Sequence, residues 1–256
     1  MEDFREKKRR GERITALTAY DFPTARLLDE AGLDIILVGD SLGMVVLGYQ
    51  DTTEVTLEEM LHHTRAAARG VKRALLAADL PIGTYENAQQ AVATARKLVQ
   101  AGAQAVKLEG GASHAAQIAA VVQAGMPLIG HIGMLPQKVR EEGGYKLKGR
   151  TAAEAEALLA DARGLEAAGA FAIVLEIVAA ETARQITHAL QIPTIGIGSG
   201  ESCDGQILVT HDLIGLFPWF KPKFVKPEAN VAAEIGKAAR AFIERTRTQR
   251  RLTAEV

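Results

Sequence analysis

Asp40, Asp79, Lys107, Glu109, His131 and Glu176 each close or interrupt a short apolar run, where a purely structural chain would place another apolar side chain. A carboxylate or ammonium buried in such a run costs roughly several kcal/mol unless it is paired or bound to metal. Lys107 and Glu109 are two apart, so on an extended segment both point the same way. Their mutual pairing leaves Asp40, Asp79 and Glu176 unexplained. If Asp40, Asp79 and Glu109 lie on neighbouring strands they repel one another, and a cation among them relieves that repulsion. An all-oxygen donor set favours Mg²⁺ or Mn²⁺ over Zn²⁺, and Mg²⁺ keeps positions open for water or a substrate oxygen. Any single carboxylate of this kind fits equally a helix cap or a surface ion pair; the set carries the argument. His131 reads as well as a satisfied buried histidine as a catalytic one. Ser41 and Ser199 are further polar residues at the ends of apolar runs. His62 and His63 fall in a helical pattern, and Cys203 sits in a loop with no recognisable base beside it.

Chemistry spread over so many segments needs a scaffold that gathers them, and the chain carries a matching rhythm. A helical pattern ends in Ala-Gly and a short β-rich run follows, at Ala31-Gly32, Ala101-Gly102, Ala124-Gly125 and Ala168-Gly169. Glycine just past a helix closes its last turn. The apolar run after it reads as a strand buried on both faces. The rhythm predicts strands over 14–19, 34–40, 74–81, 105–110, 126–133, 171–178, 193–200 and 223–227. Helices are predicted over 22–31, 56–69, 87–101, 113–124, 151–168, 180–190 and 231–246, with 204–215 open between helix and strand. Such alternation gives an α/β fold with a parallel sheet, and eight units in this length fit a single-domain (β/α)₈ TIM barrel spanning 1–256, with a short N-terminal extension over 1–12 and a C-terminal helix over 231–246. The barrel places its chemistry at the carboxyl ends of its strands, where the polar residues above fall. The runner-up is an open doubly wound sheet. Its dinucleotide fingerprint is missing; Gly196, Gly198 and Gly200 form only a late G-x-G-x-G, which tight packing of a barrel strand explains as well.

Composition narrows the classes. The net charge is −1, with no basic excess for nucleic acid. The basic run Lys7, Lys8, Arg9 and Arg10 and the Arg-rich stretch from Arg245 to Arg251 fit an anion patch or, more simply, solvated helix ends or contacts between subunits. A single cysteine forms no internal disulfide. The start is charged, no secretory segment follows it, and no apolar run has the roughly 18 residues a membrane helix needs. These features lead to the expectation of a soluble cytoplasmic protein without membrane or nucleic-acid partners.

At the residues singled out above, the chain resembles the ketopantoate hydroxymethyltransferase family. The resemblance lies in Leu37-Val38-Gly39-Asp40-Ser41-Leu42-Gly43-Met44, Ala78-Asp79-Leu80-Pro81 and Val106-Lys107-Leu108-Glu109-Gly110-Gly111. It continues through Gly130-His131-Ile132-Gly133, Gly143-Gly144-Tyr145, Val174-Leu175-Glu176, Gly196-Ile197-Gly198 and Asp204-Gly205-Gln206, and so covers 14–226. The chain departs from the family pattern at Met134-Leu135 before Pro136-Gln137, at Ser199 where alanine is common, at Ala179-Ala180, and in the tail beyond Arg251. These departures leave the carboxylate set whole and touch the loops expected to meet folate.

The resemblance implies transfer of a hydroxymethyl group from 5,10-methylenetetrahydrofolate to 3-methyl-2-oxobutanoate, forming 2-dehydropantoate and tetrahydrofolate on the way to pantothenate and coenzyme A, through a Mg²⁺-stabilised enolate. It implies Asp40 and Asp79 as ligands of Mg²⁺ (or Mn²⁺), with Glu109 associated directly or through water. Asp40, Ser41, Asp79 and Lys107 then form the oxo-acid site, Glu176 is the proton acceptor, and His131 and Ser199 support them. Members are typically homo-oligomers, often decamers. Rival readings are a Mg²⁺-dependent lyase of the phosphoenolpyruvate mutase and isocitrate lyase type, whose cysteine-bearing loop is missing here, a Schiff-base aldolase using Lys107, and a non-catalytic metabolite-binding barrel.

Overall fold

The structure, a computed structural model, describes residues 1–252, with side chains through 248. Its elements begin with α1 (Glu2–Arg10), β1 (Ile14–Thr18), α2 (Phe22–Glu30), β2 (Ile35–Val38) and α3 (Leu57–Ala68). They continue with β3 (Leu75–Asp79), α4 (Ala88–Gln100), β4 (Ala105–Glu109), α5 (Ala115–Gln123), β5 (Leu128–Gly133), α6 (Val139–Glu142) and α7 (Ala152–Ala167). β6 (Ala172–Glu176), α8 (Ala180–Ala189), β7 (Thr194–Ile197), β8 (Gly205–Leu208), α9 (Thr210–Leu213) and α10 (Val231–Leu252) complete the order. All eight strands pair in parallel, each with the next, and β8 closes on β1. The (β/α)₈ barrel expected from the sequence is the fold.

Local signals set the helices. The side chains of Asp21, Thr56, Asn87 and Thr151 cap α2, α3, α4 and α7, and Thr56 with Glu59 forms a reciprocal capping box. The glycines of the four Ala-Gly phrases all have positive φ, as closing the last helical turn requires. Strand side chains alternate between two cores. One lies between strands and helices; the other fills the barrel with residues such as Ile14, Ala16, Ile35, Leu37, Ala77, Ile129, Val174 and Ile195.

The last strand lies elsewhere than predicted. Residues 223–227 form no strand; β8 is Gly205–Leu208, inside the connection left open between helix and strand. No helix separates β7 from β8, so the rhythm that marks the other strands breaks here. Gly205 permits the close approach to β1, since a Cβ there would lie 2.5 Å from the Ile14 carbonyl oxygen. The predicted extension over 1–12 is largely helix α1, and its basic run serves structure. Lys7 pairs with Asp34 and Lys8 with Asp204, while Phe4 packs on Phe171 with ring centroids 5.9 Å apart. Arg9 and Arg10 pair with Glu2, Glu6 and Glu12. The Gly196–Gly200 stretch is a packed strand end: a Cβ at Gly196 would lie 3.0 Å from Cys203 Sγ.

The chain divides into two compact units, and the first, Met1–Leu208, contains the whole barrel. In the second, beginning at Val209, the Glu228 and Val231 amides donate to the carbonyls of Leu213 and Ile214 at 2.8 and 3.0 Å, tying the end of α9 to the start of α10. α10 runs beyond the predicted 231–246 to Leu252. The side chains at the end of the Arg-rich stretch, and most of the tail beyond Arg251, lie outside the described residues.

Candidate active site

Strand alternation aims the polar residues inward. Along β4, Ala105, Lys107 and Glu109 share the interior face; Asp79 continues from Ala77 on β3, His131 from Ile129 on β5, and Glu176 from Val174 on β6. Register places Asp79 beside Lys107 and Glu109 beside His131. Asp40 follows β2, and its main-chain N–H donates to Asp79 Oδ2 at 3.1 Å. The carboxyl ends of β2 to β6 therefore build one charged cluster, while β7, β8 and β1 contribute mainly apolar side chains to the interior.

Asp40, Asp79, Lys107, Glu109 and His131 are all buried, with exposures of 5% or less. Lys107 Nζ lies 2.9 Å from Asp79 Oδ1 and 3.8 Å from Glu109 Oε1, and Asp79 Oδ1 makes no aligned hydrogen bond. Both Glu109 Oε1 and Lys107 Nζ approach His131 Nδ1 at 3.3 Å. These contacts are alternatives: an imidazolium donates to Glu109, and a neutral ring can accept from Lys107. Burial and Lys107 oppose protonation of His131, but Glu109 and Glu176 outweigh them and raise its pKa to about 9, which favours the imidazolium. Its Nε2 faces Glu176 Oε2 at 3.3 Å, also without an aligned hydrogen bond. Glu176 stands nearer the rim, with 13% of its side chain exposed.

The cluster is short of positive charge. Burial, then the charges of Asp79 and Glu109, push the Asp40 pKa well above the usual carboxylate range. Burial also raises Asp79, and Lys107 only partly offsets it. Burial would raise Glu109 too, yet His131, Lys107 and the Gln137 N–H hold it below its ordinary value. Two carboxylates that resist ionisation, in an all-oxygen donor set, suit a divalent cation. Among the described residues no three His, Cys, Asp or Glu side chains converge on one point as ligands. Asp40 and Asp79 alone match Mg²⁺, which commonly takes one or two carboxylates and fills its octahedron with water and substrate oxygens.

The serines lie at the cluster's margins. Ser41 Oγ is 2.8 Å from Tyr20 OH. Gly39 keeps that side free, since a Cβ there would lie 2.9 Å from Ser41 Oγ. Ser199 is fully buried and braces the backbone, accepting from Val178 N at 2.9 Å and donating to the Leu175 carbonyl at 2.7 Å. The brace holds the turn after Glu176, where Ile177 has φ 48°. A β-branched residue in the left-handed region is strained. Hydrogen bonds from Ile177 N to Ile197 O and from Lys148 N to Ile177 O keep it there.

Sequence reasoning missed Gln137, Tyr85, Tyr20 and Ile177. Gln137, in the loop after β5, touches the carboxylate cluster, and Tyr85, in the loop after β3, reaches it through Gln137. Tyr20 obeys the same strand-end rule as the acids, applied to β1. The strain at Ile177 has no sequence signal.

The profile of a family described as ketopantoate hydroxymethyltransferase matches residues 1–250. A 3-methyl-2-oxobutanoate hydroxymethyltransferase of Ignicoccus hospitalis is 51% identical over 97% of this chain and 94% of its own length. Proteins of the same name from Moorella thermoacetica and Chloroflexus aurantiacus are 53% and 54% identical, over 94% and 93% of this chain and 90% and 85% of theirs. Among solved structures, phosphonopyruvate hydrolase in complex with oxalate and Mg²⁺ superposes with TM-score 0.64 at 16% identity, covering 97% of this chain and 87% of its own. 2,3-Dimethylmalate lyase does so with TM-score 0.60 at 18% identity, covering 96% and 87%. At such identity these structures share the fold.

Proposed function

The chain belongs to the ketopantoate hydroxymethyltransferase family, and from that premise we propose that it adds the one-carbon unit of 5,10-methylenetetrahydrofolate to 3-methyl-2-oxobutanoate, yielding 2-dehydropantoate and tetrahydrofolate in pantothenate and coenzyme A biosynthesis. The observation that carries the reading is the buried, positively undercharged cluster of Asp40, Asp79 and Glu109 beside Lys107 and Glu176.

Asp40 and Asp79 would hold a divalent cation, Mg²⁺ or Mn²⁺, with Glu109 associated directly or through water. When bound, the cation supplies Lewis acidity that stabilises negative charge on an enolate oxygen. Lys107 holds a fixed positive charge for the oxo-acid carboxylate, because the surrounding Asp79, Glu109 and Asp40 outweigh burial and keep its ammonium protonated. Ser41, backed by Tyr20, offers a hydroxyl to the same substrate. Glu176, nearest the rim, takes the proton from C3. The resulting carbon nucleophile attacks the folate's methylene carbon after one of its two C–N bonds has opened to an iminium. Water then displaces the remaining folate nitrogen, which leaves protonated as tetrahydrofolate, and supplies the hydroxyl oxygen. His131 fixes Glu109 and faces Glu176; Ser199 holds the turn that aims Glu176.

Phosphonopyruvate hydrolase offers a chemical parallel: it shares the fold, and its structure holds oxalate, whose adjacent oxygens resemble those of a 2-oxo acid, together with Mg²⁺. That likeness serves the lyase reading equally, but its 16% identity stands against 51% for the Ignicoccus hospitalis hydroxymethyltransferase. Among the described residues no helix is long and apolar enough to cross a membrane. A cytoplasmic homo-oligomer, decameric as in the family, completes the proposal, and light scattering measures its mass.

The test is NMR of the protein with 3-methyl-2-oxobutanoate, 5,10-methylenetetrahydrofolate and Mg²⁺, beside a chelator-treated control. 2-Dehydropantoate formed only with metal supports the reading. No product from folded protein with Mg²⁺ or Mn²⁺ overturns it.

A further inference from the structure

The geometry points to Gln137 as the residue that positions the metal-binding carboxylates, with Tyr85 setting the orientation of its amide. The inference rests on the reading of Asp40 and Asp79 as ligands. Gln137 lies in the single helical turn Pro136–Lys138 after β5. The first amides of a helical turn have no partner within it, and Pro136 has no N–H to offer, so the Gln137 amide is available. It donates to Glu109 Oε2 at 3.1 Å. The side-chain Nε2 donates to Asp40 Oδ2 at 2.8 Å and to the Leu80 carbonyl at 3.0 Å. One buried residue therefore ties the ends of β2, β3 and β4, because Leu80 directly follows Asp79.

The amide has only one workable orientation. Tyr85 OH donates to Gln137 Oε1. If the amide flipped, Oε1 would face the Leu80 carbonyl and the Asp40 carboxylate, acceptor against acceptor, and Nε2 would face a phenol that must then accept. Tyr85 thus holds the donor toward Asp40 in a site closed to solvent. Asp40 Oδ2 is engaged, which fixes the plane of a carboxylate that burial and its acidic neighbours otherwise disfavour. Residues that orient metal ligands in this way typically carry about 10- to 100-fold in metal affinity.

The test reads Mn²⁺ binding itself, by electron paramagnetic resonance of the free ion without substrates, on wild type, Gln137→Met and Tyr85→Phe. Met keeps the length and removes the donor; Phe keeps the ring and removes the hydrogen bond that anchors the amide oxygen. Thermal unfolding without metal establishes that each is folded. The expected result is Mn²⁺ binding weakened about 10- to 100-fold by Gln137→Met. Tyr85→Phe weakens it roughly 2- to 10-fold, the range one hydrogen bond carries. Wild-type affinity in folded Gln137→Met overturns the inference and leaves the metal reading standing. Should that variant not fold, Tyr85→Phe decides alone: weaker binding supports the inference and unchanged binding overturns it. Failure of the wild-type protein to bind Mn²⁺ overturns the metal reading and this inference together.

Discussion

At the amino ends of the strands, Lys8 reaches Asp204 at 2.9 Å and the carbonyls of Thr187 and Ile192, and Lys7 reaches Asp34 at 2.6 Å, so these partly buried charges meet partners. At the carboxyl ends, Asp40, Asp79, Glu109 and Glu176 have, among the described residues, only Lys107 and His131 as ion-pair partners, and the turn behind Glu176 is strained. One chain and one barrel thus pair charge at one end and leave it unbalanced at the other. The unbalanced end is the end that (β/α)₈ enzymes use for chemistry, and the paired end is the one that holds the fold together. Substitutions at the two ends should therefore separate activity from stability.

Glu176→Gln gives the sharpest separation. It removes the proposed proton acceptor while keeping the size of the side chain, and general-base catalysis is worth about 10²- to 10⁴-fold. Exchange of the C3 proton of 3-methyl-2-oxobutanoate into deuterated water, followed by NMR, should fall by about that factor, with Mn²⁺ binding and melting temperature little changed. Retained exchange would remove Glu176 from its role. Asp79→Asn comes next. It should raise the metal concentration required for activity by at least the roughly 10- to 100-fold seen when a ligand's supporting partner is lost. It relieves the repulsion of Asp79 with Asp40 and Glu109 but takes from Lys107 its nearest carboxylate, so the two effects oppose each other and the melting temperature should move little. An unchanged metal titration would show that Asp79 serves only Lys107.

The same contrast governs what could be read from the sequence. Most of the barrel was legible because buried parallel strands are continuous apolar runs and Ala-Gly closes the helices before them. Asp40, Asp79, Lys107, Glu109, His131 and Glu176 stood out because charge in an apolar run has few structural uses. β8 did not: Gly205–Leu208 is short, follows no helix, and pairs closely because a glycine lies beside Ile14. Gln137 and Tyr85 were hidden for another reason. They are neutral residues in loops, and their value lies in whom they touch once folded. The contacts of α1 at the amino end were hidden as well, since a basic run reads as solvated until Asp34 and Asp204 are brought to it from 27 and 196 residues away.

Lys8→Met tests the paired end. It removes three hydrogen bonds, one of them to a carboxylate, and leaves the Asp204 carboxylate with its hydrogen bonds from Thr194. A loss of about 2–3 kcal/mol in urea unfolding is expected, from hydrogen bonds to charged groups discounted for partial exposure. Activity per folded molecule should stay within about twofold. A large fall in activity with intact stability would break the division between the ends. Ile177→Gly tests the strain at the other end. Releasing a left-handed β-branched residue gains about 1–3 kcal/mol, while glycine's extra freedom in the unfolded chain costs about 0.5–1 kcal/mol. Lost side-chain burial takes part of the rest. Stability should change by about 1 kcal/mol or less, whereas C3 proton exchange should drop several-fold as Glu176 loses its fixed direction.

The smallest effect carries a pH signature. Asp34 accepts from Lys7 Nζ at 2.6 Å and from Thr15 N and Oγ1 at 2.8 and 2.9 Å. Burial alone would raise its pKa, but Lys7 and Thr15 together hold it below the usual carboxylate value. A carboxyl group whose pKa is depressed by folding stabilises the protein above its unfolded pKa, near 4, and loses that contribution as pH falls through the folded value. Asp34→Asn should therefore lower stability at pH 7 by about 1 kcal/mol, a figure kept small because 18% of the Asp34 side chain and 27% of Lys7 remain exposed to solvent. The gap between wild type and variant should hold steady down to about pH 5 and close below about pH 4. Melting temperatures of both proteins across that range measure it. A gap that persisted in acid would mean that Asp34 contributes hydrogen bonds an amide loses rather than a paired charge, and that the amino end of the barrel is held by geometry more than by electrostatics.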